Sequence, residues 1–214
     1  MRLIRATVLA TLLAATPALA DRTQVYSVQG ADCGDCGDEI TVELKKLKGF
    51  RKAQFDVFKV ELTATLADGV TDGEVIAAIG RAGLKGVVGP GKGAYLPHEK
   101  YPEGADVVTL TQDGSKVGPL EKLRVPGKYT AFDIYADWCG PCRAVDARLR
   151  EVVGVRRDVA VRKLNVVSFE TPLARELGGK LKALPYVVVF SPEGRRTDVT
   201  GADFKKLSAA LGIK

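Results

Sequence analysis

The chain has 214 residues, of which 46 % are hydrophobic, enough for one or two small packed domains. Its 32 basic and 26 acidic residues give a net charge of +6 that is spread along the sequence. Because nucleic-acid binding requires a clustered basic stripe with interleaved aromatic residues, we expect no nucleic-acid partner. The four cysteines form two Cys-x-x-Cys pairs, unlike the dispersed cysteines of a disulfide-stapled scaffold.

Residues 1–20 have the organisation of an export signal. A short basic start precedes an apolar run over residues 6–15, and Ala18-Leu19-Ala20 supplies the small residues of a cleavage site. The apolar run is shorter than the roughly 20 residues that a membrane-spanning helix needs. We therefore predict cleavage after Ala20, which leaves a net charge of +4, no stable membrane span, and export to a bacterial periplasm. An uncleaved membrane anchor is the alternative.

Residues 21–90 are predicted to alternate strands and helices in the order β-α-β-β-α-β. A strand ends before the first cysteine pair, a helical apolar period runs from Cys36 onward, and two strands flank Lys59. Thr71 begins a second helix that Gly83 ends, and a short strand follows. This order within about 70 residues is the ferredoxin-like arrangement.

The first cysteine pair lies in Gly30-Ala31-Asp32-Cys33-Gly34-Asp35-Cys36, and Leu47-Lys48-Gly49-Phe50 follows the first predicted helix. With this spacing the segment resembles the heavy-metal-associated domains of metallochaperones and metal-exporting ATPases. The resemblance implies that Cys33 and Cys36 bind a soft metal ion as thiolates in an exposed loop. The chain departs from those domains at Ala31, where they usually carry methionine.

The residue before the first cysteine bears on which metal is bound. Two thiolates suit Cu(I), whereas the carboxylate of Asp32 supplies a third, harder ligand that Zn²⁺ accepts. The candidate ions are therefore Zn(II) and Cu(I), and Asp32 favours the divalent one. Two alternatives stay open for Cys33 and Cys36: a local disulfide without function, and a second redox pair that exchanges electrons with the C-terminal cysteines.

Residues 91–105 are rich in glycine and proline and are predicted to form an exposed linker. They contain His98, the only histidine of the chain. A lone histidine in such a segment is usually a solvated surface residue, and that is the expectation here. A role as a metal ligand is the alternative.

Residues 106–214 carry the second pair between a predicted strand and a predicted helix. The apolar run 131–136 precedes Trp138-Cys139-Gly140-Pro141-Cys142, and the following residues contain no helix breaker. Cys139 therefore lies at a helix N-terminus, where free N–H groups and the helix dipole favour a thiolate. Such a thiolate attacks disulfides, and the second cysteine resolves the mixed disulfide. A structural disulfide or a zinc knuckle is the alternative, but this segment offers a knuckle no further cysteine and no histidine.

The same segment resembles thioredoxin. Asp133 lies in the predicted strand six residues before Cys139, and Lys163 lies in the next predicted strand. Leu184-Pro185-Tyr186 then precedes a buried strand. The resemblance implies a thioredoxin fold in which Cys139 is the exposed nucleophile and Cys142 is the buried resolving thiol.

The resemblance also assigns roles to four neighbouring residues. Asp133 would accept a proton from the resolving thiol through water, and burial would raise its pKa. Lys163 would neighbour that carboxylate, and Trp138 would cover the disulfide as an apolar lid. Pro185, after a cis peptide bond, would shape the groove for an extended substrate peptide. No cofactor is implied for this site.

Together the two resemblances predict an exported thiol–disulfide oxidoreductase, and the Gly-Pro pair between its cysteines favours a reductase. Its metal domain would direct it to protein disulfide or metalloprotein clients, and a membrane thiol-electron transporter would supply electrons. The alternatives are a metal chaperone or scavenger whose thioredoxin domain keeps its own metal-binding cysteines reduced, and a two-station disulfide relay. The expected fold class is α/β and α+β, with a βαββαβ ferredoxin-like domain followed by a thioredoxin domain.

Overall fold

The computed structural model describes residues 21–213, which form two units that are each built on one sheet. The predicted signal peptide, with its cleavage site after Ala20, lies outside the described residues. Among the helices described, none combines the length and the apolar character that crossing a bilayer requires.

The N-terminal unit has a mainly antiparallel sheet and two helices. Its elements are β1 (Asp21–Ala31), α1 (Cys36–Leu44), β2 (Phe50–Asp56), β3 (Glu61–Ala67), α2 (Asp72–Arg81), β4 (Lys85–Val88) and β5 (Ala94–Tyr95). The strand order is β2-β3-β1-β4, and neighbours on that path run antiparallel. The sheet and both helices share one apolar core. The predicted βαββαβ order is confirmed, with β5 as an addition.

Local sequence accounts for the regular parts of this unit. β3 alternates between its two faces, so that Leu62, Ala64 and Leu66 are fully buried while the intervening residues are partly exposed. α2 begins with a capping box in which Thr71 and Glu74 satisfy each other's backbone N–H groups. These signals lie within a few residues of each other, which is why the sequence predicts them.

The segment 91–105 is less detached than a free linker. Its strand β5 pairs in parallel with β1. Gly93 permits the close approach of this segment to the turn before β3, because a β-carbon at Gly93 would overlap the carbonyl oxygens of Lys59 and Val60. A two-residue strand held by main-chain pairing has no apolar period of its own, so its sequence does not reveal it.

The C-terminal unit has a mixed five-stranded sheet. Its elements are β6 (Asp106–Thr111), β7 (Tyr129–Tyr135), α3 (Gly140–Val155), β8 (Val159–Asn165), α4 (Pro172–Leu177), β9 (Tyr186–Phe190), β10 (Arg196–Thr200) and α5 (Phe204–Ala210). The strand order is β10-β9-β7-β8-β6; β6, β7 and β8 run parallel, and β9 runs antiparallel to both of its neighbours, β7 and β10. From β7 to α5 the α-helices and strands alternate as strand, helix, strand, helix, strand, strand, helix, which confirms the fold that the resemblance of residues 106–214 implies.

The central strand of this sheet positions the second cysteine pair. β7 is buried from its second residue to its last, as expected for a strand covered on both faces. Its carboxyl end leads directly into α3, and Pro141 lies in the first turn of that helix. The pair Cys139 and Cys142 therefore lies at the carboxyl edge of the sheet, where ligands of parallel α/β sheets usually bind.

Candidate functional site

Cys139 and Cys142 form a disulfide at the start of α3. Cys139 is the N-cap residue, and its Sγ accepts a hydrogen bond of 3.2 Å from the backbone N–H of Cys142. After reduction the same N–H and the helix dipole would stabilise a thiolate on Cys139. The geometry therefore distinguishes the two sulfurs, with Cys139 as the nucleophile.

Both sulfurs are enclosed in the full chain. Cys142 is fully buried, as predicted for a resolving thiol. The expectation of an exposed Cys139 is wrong, because this residue is only 5 % exposed. A loop of the N-terminal unit lies against the adjacent Gly140, where a β-carbon would be 3.1 Å from the Cβ of Cys33.

Asp133 is a fully buried carboxylate in β7, the strand that leads into the cysteine turn. Neither of its carboxylate oxygens has a hydrogen-bond partner among residues 21–213. Burial raises the pKa of Asp133 from 3.8 to about 7, against the opposing charge of Lys163. A carboxyl group with this pKa takes up and releases a proton near neutral pH.

Lys163 lies beside Asp133, as predicted, but its closest partner is a different carboxylate. Its Nζ is 4.0 Å from Asp133 Oδ2 and forms a shorter ion pair with Asp146 on α3. Tyr101 Oη also donates to Asp146, at 2.9 Å. Burial opposes the charge on Asp146, but the contacts from His98, Lys163 and Tyr101 outweigh it and hold its pKa below the usual range.

The expectation of a solvated His98 is wrong, because its side chain is only 19 % exposed. Its Nε2 is 3.4 Å from Asp137 Oδ1 and its Nδ1 is 3.7 Å from Asp146 Oδ2. The carboxylates of Asp137 and Asp146 raise the pKa of His98, although burial opposes this. The segment predicted as a linker thus places a histidine between two carboxylates of the C-terminal unit.

Pro185 and Trp138 are the two remaining residues to which the resemblance assigns roles. The Leu184–Pro185 peptide bond is cis. The Trp138 indole N–H donates to the carbonyl of Val167 at 2.6 Å, and its ring centroid is 6.1 Å from that of Phe169. The indole beside Cys139 is therefore fixed by contacts to the loop after β8.

The first cysteine pair forms a three-donor cluster at the start of α1. The sulfurs of Cys33 and Cys36 are 3.5 Å apart, and Cys36 donates to Asp32 Oδ1 at 3.5 Å. All three donor atoms lie within 4.8 Å of one another. Burial and the neighbouring Cys36 raise the pKa of the Cys33 thiol to about 12, so metal binding here would release protons.

Several residues that form these contacts are not predicted as functional from the sequence. Asp146 leaves one signal, since it is an acidic residue on the face of α3 that buries Val145 and Leu149. No sequence signal marks Tyr101 or Arg143, because the partners of both residues lie in distant parts of the chain.

The thioredoxin family model matches residues 121–212. The chloroplastic F-type thioredoxin of Mesembryanthemum crystallinum is 34 % identical over 84 residues, which cover 39 % of this chain and 43 % of that protein. Thioredoxin AMT13 of Alternaria alternata is 30 % identical over 92 residues, which cover 42 % of this chain and 75 % of that protein. Among solved structures, the yeast copper transporter domain CCC2A aligns with a TM-score of 0.30 and 25 % identity, covering 32 % of this chain and 96 % of that domain. The chain spans less than half the length of the first chloroplastic relatives.

Proposed function

The chain belongs to the thioredoxin family, and on that premise we propose that it is a thiol–disulfide oxidoreductase that acts through Cys139 and Cys142. The observation that carries the proposal is the disulfide at the N-terminus of α3, in which Cys139 Sγ caps the helix. A reactive pair needs one sulfur that is stable as a thiolate and a second one within bonding reach. Both conditions are met at this helix end.

In the reductive direction the Cys139 thiolate attacks a substrate disulfide, forms a mixed disulfide and releases one substrate thiolate. Cys142 then attacks the Cys139 sulfur, the internal disulfide forms, and the second substrate thiolate leaves. Cys142 must lose a proton before it attacks, and Asp133, with a pKa of about 7, is the acceptor we assign. Two electrons pass from the protein dithiol to the substrate disulfide.

Reduction of insulin disulfides with dithiothreitol as electron source tests this function. We expect Cys139→Ser to abolish turnover, and Cys142→Ser to lose turnover and, once pre-reduced and freed of dithiothreitol, to trap a mixed disulfide with insulin. Arg148→Ala is the matched control, since Arg148 lies on the same helix and its side chain hydrogen-bonds only Glu151 and Ser208 among the described residues. An inactive native chain, or turnover that survives in Cys139→Ser, would refute the proposal.

We also propose that Asp32, Cys33 and Cys36 bind a soft or borderline metal ion. In a tetrahedral zinc site with Zn–S bonds of about 2.3 Å, two sulfurs lie roughly 3.8 Å apart. The sulfurs of Cys33 and Cys36 are 3.5 Å apart, close to that spacing. A linear two-sulfur site with similar bond lengths would need about 4.6 Å, so the donors fit a divalent ion more closely than Cu(I).

We propose further that the protein is exported to the periplasm, as its first 20 residues suggest. A reductase in an oxidising compartment needs an electron supply, for which we propose a membrane thiol-electron transporter. Its clients would be protein disulfides, including those of metalloproteins. The intact mass of protein from a periplasmic fraction tests export, because cleavage after Ala20 leaves Asp21 as the first residue.

A further inference from the structure

We propose that the Cys33–Cys36 pair is an internal substrate of the Cys139–Cys142 pair, so that the two pairs exchange dithiol and disulfide within one chain. The inference rests on the proposed oxidoreductase function, because it uses the same sulfur chemistry at the same site. It adds the identity of a substrate: a second cysteine pair that the fold holds against the catalytic one.

The two cysteine loops approach so closely that each has a glycine, Gly34 or Gly140, at the point of contact. A β-carbon on Gly140 would lie 3.1 Å from the Cβ of Cys33, which is tighter than ordinary van der Waals contact. A β-carbon on Gly34 would lie 3.6 Å from the carbonyl oxygen of Trp138. Each cysteine loop therefore meets the other at a residue without a side chain. Cys33 faces the residue that directly follows Cys139.

Arg143, one residue after Cys142, clamps the first cysteine loop in this position. Its Nε donates to the main-chain carbonyl of Asp32 at 2.9 Å, and its Nη2 donates to the carbonyl of Leu96 at 2.6 Å. Hydrogen bonds from a guanidinium are among the stronger ones in proteins. Arg143 on α3 thus holds both the first cysteine loop, at Asp32, and the segment after β5, at Leu96.

Further contacts extend the interface between the two units beside the indole of Trp138. A cavity of about 60 Å³ lies between the two units. Its walls are Val57, Phe58 and Tyr95 from one unit and Asp137, Trp138 and Val167 from the other. Tyr95 Oη donates to the carbonyl of Val57 at 2.8 Å, which fixes the N-terminal side of this cavity. The enclosure of Cys139, which is 5 % exposed, is consistent with a loop already occupying the substrate side.

The two sulfurs of the first pair differ in access. Cys36 is 2 % exposed and lies within the core of its own unit, whereas Cys33 is only partly buried. Cys33 is therefore the sulfur available for a mixed disulfide with Cys139. Because both pairs belong to one chain, their encounter has the high effective concentration of an intramolecular reaction.

The exchange balances without a further reactant. The Cys139 thiolate attacks Cys33 Sγ, the Cys33–Cys139 bond forms, and the Cys33–Cys36 bond breaks, leaving Cys36 as a thiolate that takes a proton. The Cys142 thiolate then attacks Cys139 Sγ, the Cys139–Cys142 bond forms, and Cys33 leaves as a thiolate that takes a second proton. Two electrons and two protons pass to the first pair, and the reverse steps return them.

The exchange determines whether the first pair can hold a metal ion. Metal ions bind thiolates, and a Cys33–Cys36 disulfide offers none. Transfer of electrons from the second pair would restore both ligands. The same sulfurs therefore serve either as a metal site or as an exchange substrate.

Trapping of the mixed disulfide tests the inference. The variant Cys36→Ser/Cys142→Ser retains Cys33 and Cys139, and mild oxidation with diamide should join them within one chain. Peptide mass spectrometry identifies the bond, and its rate should be independent of protein concentration over about a hundredfold range. The matched control Cys33→Ser/Cys142→Ser retains the buried Cys36 instead, and we expect at least about tenfold slower cross-linking within the chain.

Adding Arg143→Ala to the trapping variant should slow the cross-link about tenfold, whereas Arg148→Ala should leave the rate unchanged. The inference is overturned if the bond forms only between chains, or if the Cys36 control cross-links as fast. Because the variants could fold incorrectly, the disulfides of the partially oxidised native chain are mapped as well. A peptide that joins Cys33 to Cys139 is expected there too. Insulin reduction by the native chain separates the two proposals: activity without the internal cross-link refutes only the inference, and no activity refutes the oxidoreductase function.

Discussion

Lys163 forms its close ion pair with Asp146 on α3 and lies 4.0 Å from the nearer carboxylate oxygen of Asp133 on β7. Asp146 accepts a further hydrogen bond from Tyr101, while Asp133 has no hydrogen-bond partner within the described residues. One buried carboxylate is therefore held charged, and the other is left to titrate near neutral pH. Burial is the main cause of the raised pKa of Asp133, and the negative charge of Asp146 on the neighbouring helix adds to it.

Asp146→Asn is the first prediction. The substitution removes a negative charge that raises the pKa of Asp133, and it frees Lys163 to neutralise that carboxylate. The pKa of Asp133 should fall from about 7 toward its ordinary value of 3.8. A carboxyl-carbon NMR titration measures it. Glu151→Gln, an exposed change on the same helix, is the control, and an unchanged Asp133 titration in Asp146→Asn would contradict the account.

Asp133→Asn should stabilise the protein at alkaline pH. The folded-state pKa of Asp133 is raised, so its ionisation opposes folding, and this cost is absent below the unfolded pKa of 3.8 and complete above pH 7. We expect the variant to gain about 4 kcal/mol in the free energy of unfolding at pH 8 and almost nothing at pH 4. Guanidinium unfolding followed by fluorescence reports on the C-terminal unit, because Trp138 is the chain's only tryptophan.

The same variant separates stability from catalysis. Without a proton acceptor, resolution of the mixed disulfide by Cys142 should slow at pH 7 even though the variant is more stable to unfolding. Single-turnover decay of the mixed disulfide measures that step. An equal gain in stability at pH 4 and pH 8, or resolution at the native rate, would show that Asp133 does not titrate as argued.

His98→Gln should lower stability in acid more than in alkali. The folded-state pKa of His98 is raised, so its contribution is complete below the unfolded pKa of 6.5 and is lost as pH rises through the folded value. We expect a loss on the order of 1 kcal/mol at pH 5 and much less at pH 9. Lys100→Gln, at an exposed position in the same segment, should show no such pH dependence. Equal losses at both pH values would assign His98 a packing role only.

Local patterns account for most of the fold and for the cysteine chemistry. The Cys-x-x-Cys turns and the buried strand with Asp133 each lie within a short stretch whose period or motif is visible in the sequence, whereas the cis bond before Pro185 is implied by the resemblance to thioredoxin. The helix cap at Thr71 is equally local. Such features need only neighbouring residues, so one sequence suffices to predict them.

The contacts that a single sequence does not reveal are all long-range. Tyr101 reaches Asp146 across 45 residues, and Arg143 reaches the carbonyl of Asp32 across 111. His98 becomes half-buried because a glycine-rich segment packs on α3, and composition alone indicates only that such a segment is flexible. The competition between Asp146 and Asp133 for Lys163 depends on side-chain distances of a few ångström. The hydrophobic periodicity of the sequence does not encode such distances.

Asp32 sets the metal preference of the first cysteine pair if it acts as the third ligand. Cu(I) is satisfied by two thiolates, whereas Zn²⁺ gains from an additional oxygen donor. Asp32→Asn should therefore weaken Zn²⁺ binding about tenfold and leave Cu(I) binding within about twofold. Anaerobic competition titrations on the reduced Cys139→Ser/Cys142→Ser chain measure both ions without interference from the second pair.

Asp35→Asn provides the matched control for that titration, because Asp35 lies in the same loop but outside the three-donor cluster. A purely electrostatic effect of the acidic loop would make the two variants lose Zn²⁺ affinity equally, since both remove one negative charge near the thiols. Direct ligation predicts a loss confined to Asp32→Asn. Equal losses in the two variants would leave Cys33 and Cys36 as the only ligands and remove the preference for a divalent ion.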